Sequence, residues 1–352
     1  MTVQADTSAN LEAAPVTSGT RPPLRFQMRF AAIWIALICL ILFSAIVAPR
    51  SLFPGTIFAV IPLAAFLAIT SAGQAIVLMS RGIDLSTPAI ITLSSTVLLG
   101  FSRGRNDDLV FAIVAALFYA SAIGLVNGVL VAVLRLNALI VTLAVGAITA
   151  GATLWYRQTL PPESRVPEAL ADWGGSRMLN LNVSVWVAAA LIVILTIVLR
   201  KTTLGRRFSA VGANPRAAWI AGINVPLYQI AAFTVAGFLY GIVGILLSAF
   251  IRNPTLLVGD PYLLAPIAAA VLGGTAITGG IGSMIAVGGA ALFLTHLGQM
   301  LRVLGLPTSV QFIIFGIAIA VGMSIAELKP ARIAWLRAQA RRLLGRQPSP
   351  VG

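Results

Sequence analysis

The sequence predicts an all-α, polytopic membrane protein of about ten (8–10) spanning helices, with both termini on the cytoplasmic side. Three observations predict it. The 352 residues are 59% apolar and only 10% charged, far more apolar than a soluble domain. Apolar runs recur along the chain near the ~20 residues that a bilayer core demands. Basic residues collect between those runs on alternate sides, as the bias toward Lys and Arg in cytoplasmic loops requires.

In chain order, residues 1–25 are rich in Ala, Ser and Thr and lack apolar periodicity, which predicts a disordered cytoplasmic tail. Residues 26–327 form the predicted membrane domain. Its first run, 30–48, follows Arg21, Arg25 and Arg29. It is longer than the apolar core of a signal peptide and no A-x-A site follows, so it is read as an uncleaved first span. Further runs lie at 56–79, 86–101, 109–134, 138–156, 183–199, 227–250, 262–276, 282–300 and 309–326. Those at 86–101 and 262–276 are the shortest. With the N-terminus inside, Arg81, Arg135 and the 200–216 cluster are cytoplasmic, while Asp107, Asp108, Glu163, Glu168, Asp172 and Asp260 are outside. The longest outside loop, 157–182, is long enough to be functional or loosely ordered. Residues 328–352 form a basic cytoplasmic tail, with Ile333, Leu336, Ala340, Leu343 and Leu344 at helical spacing among arginines. It reads as an interfacial helix on anionic lipid.

Composition excludes several functions. A net charge of +14 is compatible with nucleic acid, but the basic residues flank membrane segments, so anionic headgroups are the simpler counter-charge. The single cysteine, Cys39, permits no internal disulfide, and the single histidine, His296, permits no His-rich metal site. No cofactor and no metal are expected.

The chain is organised around residues 200–224, a basic stretch without acidic residues between two apolar runs. Asn214 and Pro215 read as a helix cap and first position, and Gly222 as the stop. The result is a helix of about two turns, too short to stand without a packing surface. A second stretch, Gly82-Ile83-Asp84-Leu85-Ser86, sits between apolar runs with Pro88 just beyond. A carboxylate inside a spanning helix costs about 2.5–3.5 kcal/mol and usually faces protein or water. Asp84 either caps the following helix through the N–H of Ser86 or Thr87, or faces a pathway. Asn127 and Thr142 are polar residues in apolar runs, able to line a pathway or to hydrogen-bond between helices. A third stretch, Gly273-Gly274-Thr275-Ala276-Ile277-Thr278-Gly279-Gly280-Ile281-Gly282, lacks the GK[ST] ending of a phosphate loop. Its glycines allow close approach or a broken helix, and small residues recur at Gly237, Gly241 and Gly244. Gly82-Ile83-Asp84 and Gly259-Asp260, each before a short run, point to an inverted repeat of 56–156 and 227–326.

Together these motifs resemble the sugar ABC-importer permeases of the ribose/xylose/galactose type. Thr202-Thr203-Leu204-Gly205-Arg206, Gly212-x-Asn214, Ala217-Ala218 and Gly222-Ile223-Asn224 are similar to that family's ATPase-coupling loop. GIDLS is similar to its GGIDLS signature, with Arg81 in place of a glycine. Residues 137–143 resemble its PxFIVTLG stretch, with Asn137 and Ala138 departing from it, and Asn127-Gly128 resembles its NG element. The glycine-rich run resembles GGTSLSGGxG, with Ala276 and Thr278 replacing serines. Pro215-Arg216 stand where the family often has an acidic residue.

The resemblance implies a type II-like ABC importer permease in the bacterial inner membrane, with no catalytic activity of its own. It implies a partner ATPase docking on Gly205, Arg206, Gly212, Asn214, Ala217, Ala218 and Gly222. It also implies a solute-binding protein outside, and a second permease copy or a paralogue. A permease for branched-chain amino acids or nucleosides differs only in cargo. A secondary transporter would carry several intramembrane charges, whereas Asp84 is nearly alone. An intramembrane enzyme would have only Asp84 and His296 to work with.

Overall fold

The computed structural model describes residues 25–161 and 164–307, with 309, 310, 313, 314, 316, 317 and 320 beyond them. The tails expected at 1–25 and 328–352 lie outside the described residues apart from Arg25, and the run at 309–326 is described only in part. Seven described helices are long and apolar enough to cross a membrane. They are α1 (Arg25–Val47), α2 (Pro54–Met79), α4 (Leu109–Ala132), α5 (Ala138–Gln158), α7 (Val183–Lys201), α10 (Val225–Ile251) and α12 (Met284–Val303).

The two shortest runs form shorter helices. The first is α3, Thr87–Ser102, and the second is α11, Ala265–Leu272. At 1.5 Å per residue they reach about 24 Å and about 12 Å, short of a ~30 Å hydrocarbon core. The reasons are local. Ser86 and Pro88 fix the start of α3 after an irregular connection, and Gly273 and Gly274 end α11.

Three smaller pieces were not foreseen. The outside loop contains a helix, α6 (Glu168–Gly175), and a two-stranded hairpin, β1 (Arg177–Met178) with β2 (Leu181–Asn182). The basic stretch contains α8 (Thr203–Ala213) ahead of the expected short helix, α9 (Pro215–Ile220). α6 is seated on α10, where a Cβ at Gly174 would come 2.5 Å from that of Ala249.

Helices α2 and α10 form the centre, where Phe66, Ile69, Leu78, Phe233, Leu239 and Tyr240 are fully buried. Around them the packing is exchanged in pairs. α4 lies on α10 as α12 lies on α2, and α3 lies on α10 as α11 lies on α2. The exchange pairs α2 with α10, α3 with α11 and α4 with α12, in the same order along 56–156 and 227–326. Small residues make the α4–α10 contact close. A Cβ at Gly237 would lie 2.5 Å from the Ala120 carbonyl oxygen, and one at Gly241 2.7 Å from the Ala120 Cβ. Without a hydrophobic drive between helices in lipid, such backbone approach supplies the association. The outer faces are apolar and exposed: Ile38 and Ile46 on α1, Phe111 and Phe118 on α4, Ile140 and Ile148 on α5, Ile194 on α7. Hydrocarbon is the solvent that suits them.

Candidate functional site

The connection between α2 and α3 is held by a buried polar network. Ser86 donates its N–H to Asp84 Oδ1 at 2.8 Å, and its hydroxyl donates to the same oxygen. Asn127, from α4, donates Nδ2–H to Ser86 Oγ at 2.8 Å. Thr142, from α5, accepts the Leu85 N–H at 3.0 Å. Gln74 of α2 completes the set. Turned with Oε1 toward the Asp84 N–H (3.2 Å), its nitrogen reaches the Asp84 carbonyl (3.1 Å) and the Tyr240 hydroxyl (3.0 Å). Asp84, Ser86, Asn127 and Thr142 are all fully buried. Of the two candidate cap donors it is therefore the Ser86 N–H that Asp84 takes. The carboxylate itself bonds only to Ser86, while Gln74, Asn127 and Thr142 tie α2, α4 and α5 to the backbone and hydroxyl groups of the same connection. Its Oδ2 and the Asn127 Oδ1 have no partner among the described residues.

The basic stretch folds as a helical hairpin. Thr202 caps α8 by accepting the Gly205 N–H at 3.2 Å. Phe208 and Val211, three residues apart, turn into the protein. Gly205 makes the α7–α8 corner possible, since a Cβ there would fall on the Leu199 and Val198 carbonyl oxygens. Asn214 caps α9 by accepting the Ala217 N–H at 3.1 Å, Pro215 takes its first position, and Gly222 follows with φ of 78°. The expected capping thus holds. Of the Ala217-Ala218 pair expected to meet an ATPase, only Ala217 is exposed. Ala218 is buried at 4% exposure, turned toward the protein, whereas Trp219 (71%) and Ile220 (78%) stand out. Arg206, on α8, and Arg216 and Ala217, on α9, are exposed as well.

Three separated motifs interlock at this hairpin. Arg81 adopts φ of 70°, a left-handed conformation that costs a non-glycine residue about 1–2 kcal/mol. Its side chain donates from Nε to the Gly212 carbonyl at 2.7 Å and from Nη2 to the Ala213 carbonyl at 2.5 Å. Those are carbonyls of the last turn of α8, where the helix dipole favours a cation. The Gly280 N–H donates to the Met79 carbonyl at 2.9 Å. Gly212 lies between the other two segments, with no room for a Cβ beside Met79 and Gly280. Of the glycine-rich residues, Thr275 is buried with its hydroxyl unpartnered among the described residues, and Thr278 is exposed. Neither bonds to the Asp84 network. Arg200 ties the end of α7 to the same region through Ser283 Oγ at 3.1 Å.

Beside the network, α3 and α5 flank an open cleft of about 460 Å³, lined by Leu85, Pro88, Ala89, Gly146 and Ala147 and closed by Leu256, Leu257 and Asp260. Its walls are mainly apolar, with Thr92, Thr153 and Asp260 as the polar exceptions. His296 lies elsewhere and pairs with Ser44 at 3.0 Å across α12 and α1, so it shares no partner with Asp84. The described residues contain no group of His, Cys, Asp and Glu able to hold a metal.

Spanning helices with apolar outer faces, two short helices entered through irregular connections, and a polar interior closed on itself define an integral membrane transport component. The chain belongs to the permease family described as branched-chain amino acid transport system / permease component, matched over residues 56–322. It is 31% identical to the ribose import permease protein RbsC of Escherichia coli (strain K12), covering 84% of this chain and 92% of that one. It is 29% identical to the L-arabinose ABC transporter permease protein AraH of Azospirillum brasilense, covering 80% and 83%. It is 30% identical to the autoinducer 2 import system permease protein LsrC of Photorhabdus luminescens, covering 78% and 82%. No solved structure matches the chain.

Sequence reasoning missed Gln74, Tyr240, the Arg81 fork and the Trp219-Ile220 face. A signal for α8 was present: Thr202 three residues before Gly205, then Leu204, Phe208 and Val211 at helical spacing. The Arg81 fork left none, since its partners are backbone carbonyls more than a hundred residues away.

Proposed function

We propose that this chain is the permease subunit of an ABC importer in the bacterial cytoplasmic membrane, carrying a monosaccharide or related polyol. A separate ATPase subunit supplies the energy by hydrolysing ATP, and a solute-binding protein delivers the substrate from outside. The observation that carries the reading is the interlock of the 80–86 connection, the end of α8 and the glycine-rich loop. It gives the basic hairpin a direct mechanical route to the start of α3. The sugar assignment rests on the relatives named for ribose and L-arabinose.

In this mechanism the ATPase receives α9, with Trp219 and Ile220 as the apolar contact and Arg206 and Arg216 at its rim. Gly205, Gly212, Asn214, Ala217, Ala218 and Gly222 shape the hairpin that presents them. Closure of the ATPase moves α8–α9, and the interlock passes that movement to the 80–86 connection. Asp84, Ser86, Asn127 and Thr142 keep the connection rigid, so that α3 moves as a body beside the α3–α5 cleft. Thr275 and Thr278 sit on the glycine-rich side of the same route. A second permease, identical or paralogous, covers the open side of the cleft. Weak, mainly apolar walls suit a polyol already selected by its binding protein.

Uptake of labelled pentoses, hexoses, polyols, branched-chain amino acids and nucleosides, compared in cells with and without the gene, tests the reading. Gene-dependent uptake confined to one sugar or polyol is expected. Gene-dependent uptake of an amino acid or nucleoside alone would replace the cargo assignment, and uptake that survives removal of cellular ATP would overturn the importer class.

A further inference from the structure

We infer that Arg81 is the positioning residue that couples the ATPase-facing hairpin to the transport pathway. This rests on the reading of α8–α9 as the segment that receives the ATPase. Arg81 reaches the last turn of α8 with both arms of its guanidinium, on the Gly212 and Ala213 carbonyls. A planar fork with two fixed donors sets the direction of the helix end as well as its distance. Its own backbone is equally constrained. Met79, two residues earlier, accepts the Gly280 N–H, and a Cβ at Gly279 would meet Arg81 Cγ at 2.5 Å. Asp84, three residues later, begins the buried network that fixes the start of α3. Leu85 and Ala89 then line the cleft. Arg81 is thus the one described side chain that bonds the hairpin to the connection leading into the cleft wall, while its own head remains exposed. Such a joint is dispensable for insertion and for ATPase docking, because the exposed Trp219-Ile220 face is separate from it.

Arg81→Gly isolates the role. Glycine accepts a φ of 70° without strain, so the backbone stays while the fork is lost. The test uses the permease in proteoliposomes with the ABC ATPase that co-purifies with the tagged wild type. Ala89→Cys in a Cys39→Ser background reports movement of the cleft wall through its rate of labelling by a water-soluble maleimide, with and without ATP and vanadate. Arg81→Gly should recover as much ATPase as the wild type and hydrolyse ATP, yet its nucleotide-dependent change in labelling should shrink at least about fivefold, the lower end of a typical coupling between two sites. Arg81→Lys, a single point donor, should fall between. An unchanged nucleotide response in Arg81→Gly overturns the inference, as does a wild type whose labelling ignores nucleotide. Loss of the ATPase from Arg81→Gly would make the residue a brace of α8 and overturn it too. Equal ATPase recovery in Ile220→Glu would instead sink the docking reading of the hairpin, an outcome distinct from all of these.

Discussion

Asn127 and Ser86, forty-one positions apart, are joined by an N–H···O bond of 2.8 Å inside the helix bundle. Ser86 passes its own proton toward Asp84 Oδ1, so the three side chains form an ordered donor chain ending on a carboxylate. An interhelical hydrogen bond is worth about 0.6 kcal/mol on average in membrane proteins. An unpaired buried polar group costs about 1–3 kcal/mol. The second figure governs here, because loss of the Ser86 hydroxyl leaves the buried Asn127 Nδ2–H without its acceptor.

Ser86→Ala should therefore lower stability by about 1–3 kcal/mol, read as a lower midpoint in thermal unfolding of detergent-solubilised protein. Ser86→Ala combined with Asn127→Leu should cost less than the sum of the two single changes, since neither partner is then left unpaired. Strict additivity would show that the two side chains do not depend on one another.

Asp84→Leu should reduce accumulated protein strongly, because it strands both Ser86 donors. Asp84→Asn keeps an acceptor oxygen for Ser86 and should accumulate near the wild-type level with unchanged substrate preference. Quantitative membrane immunoblots with an uptake panel measure both. A changed sugar preference at normal accumulation would place Asp84 in the pathway and contradict the closed network.

Gly237→Leu should destabilise the bundle by at least about 1–3 kcal/mol, the usual cost of overpacking. A side chain there would run into the Ala120 backbone of α4. Gly151→Ala is the control. Nothing lies within 4 Å of its added methyl, and helix propensity favours alanine by up to about 1 kcal/mol. Thermal midpoints should move in opposite directions, and a matched fall in both would remove the close-packing argument.

On α9, Ile220→Glu should cut ATPase recovery in co-purification at least about fivefold, the loss expected from spoiling an apolar contact worth more than ~1 kcal/mol. Arg216→Ala should change it little, as rim charges act chiefly on association rate. Ala218→Glu should fail earlier and lose the hairpin itself, because Ala218 is buried. An Ala218→Glu protein that accumulates normally would show that the inner side of α9 is not packed as described.

A reporter fused after residue 208 should be cytoplasmic and one near residue 168 periplasmic, since α7 lies between them with one spanning length. Both on one side would sink the odd–even order of the spans.

By itself the sequence determined the fold class, the family and the local caps. Each depends on interactions within one turn or one span. The apolar lengths of α2, α4 and α10, the Asn214-Pro215 start of α9 and the Gly222 stop are all set by neighbouring residues. The sequence marked Asp84, Ser86, Asn127 and Thr142 as unusual because polar groups in hydrocarbon demand partners. It did not decide which partners, nor that Gln74 and Tyr240 join them. The tertiary structure decided that, along with the inward turn of Ala218, the outward turn of Trp219 and Ile220, and the grip of Arg81 on α8. The physical reason is range. Which face of a six-residue helix is covered, and which distant carbonyl a guanidinium meets, depends on segments brought together only when α2 and α10 pack, and no local pattern of residues encodes it.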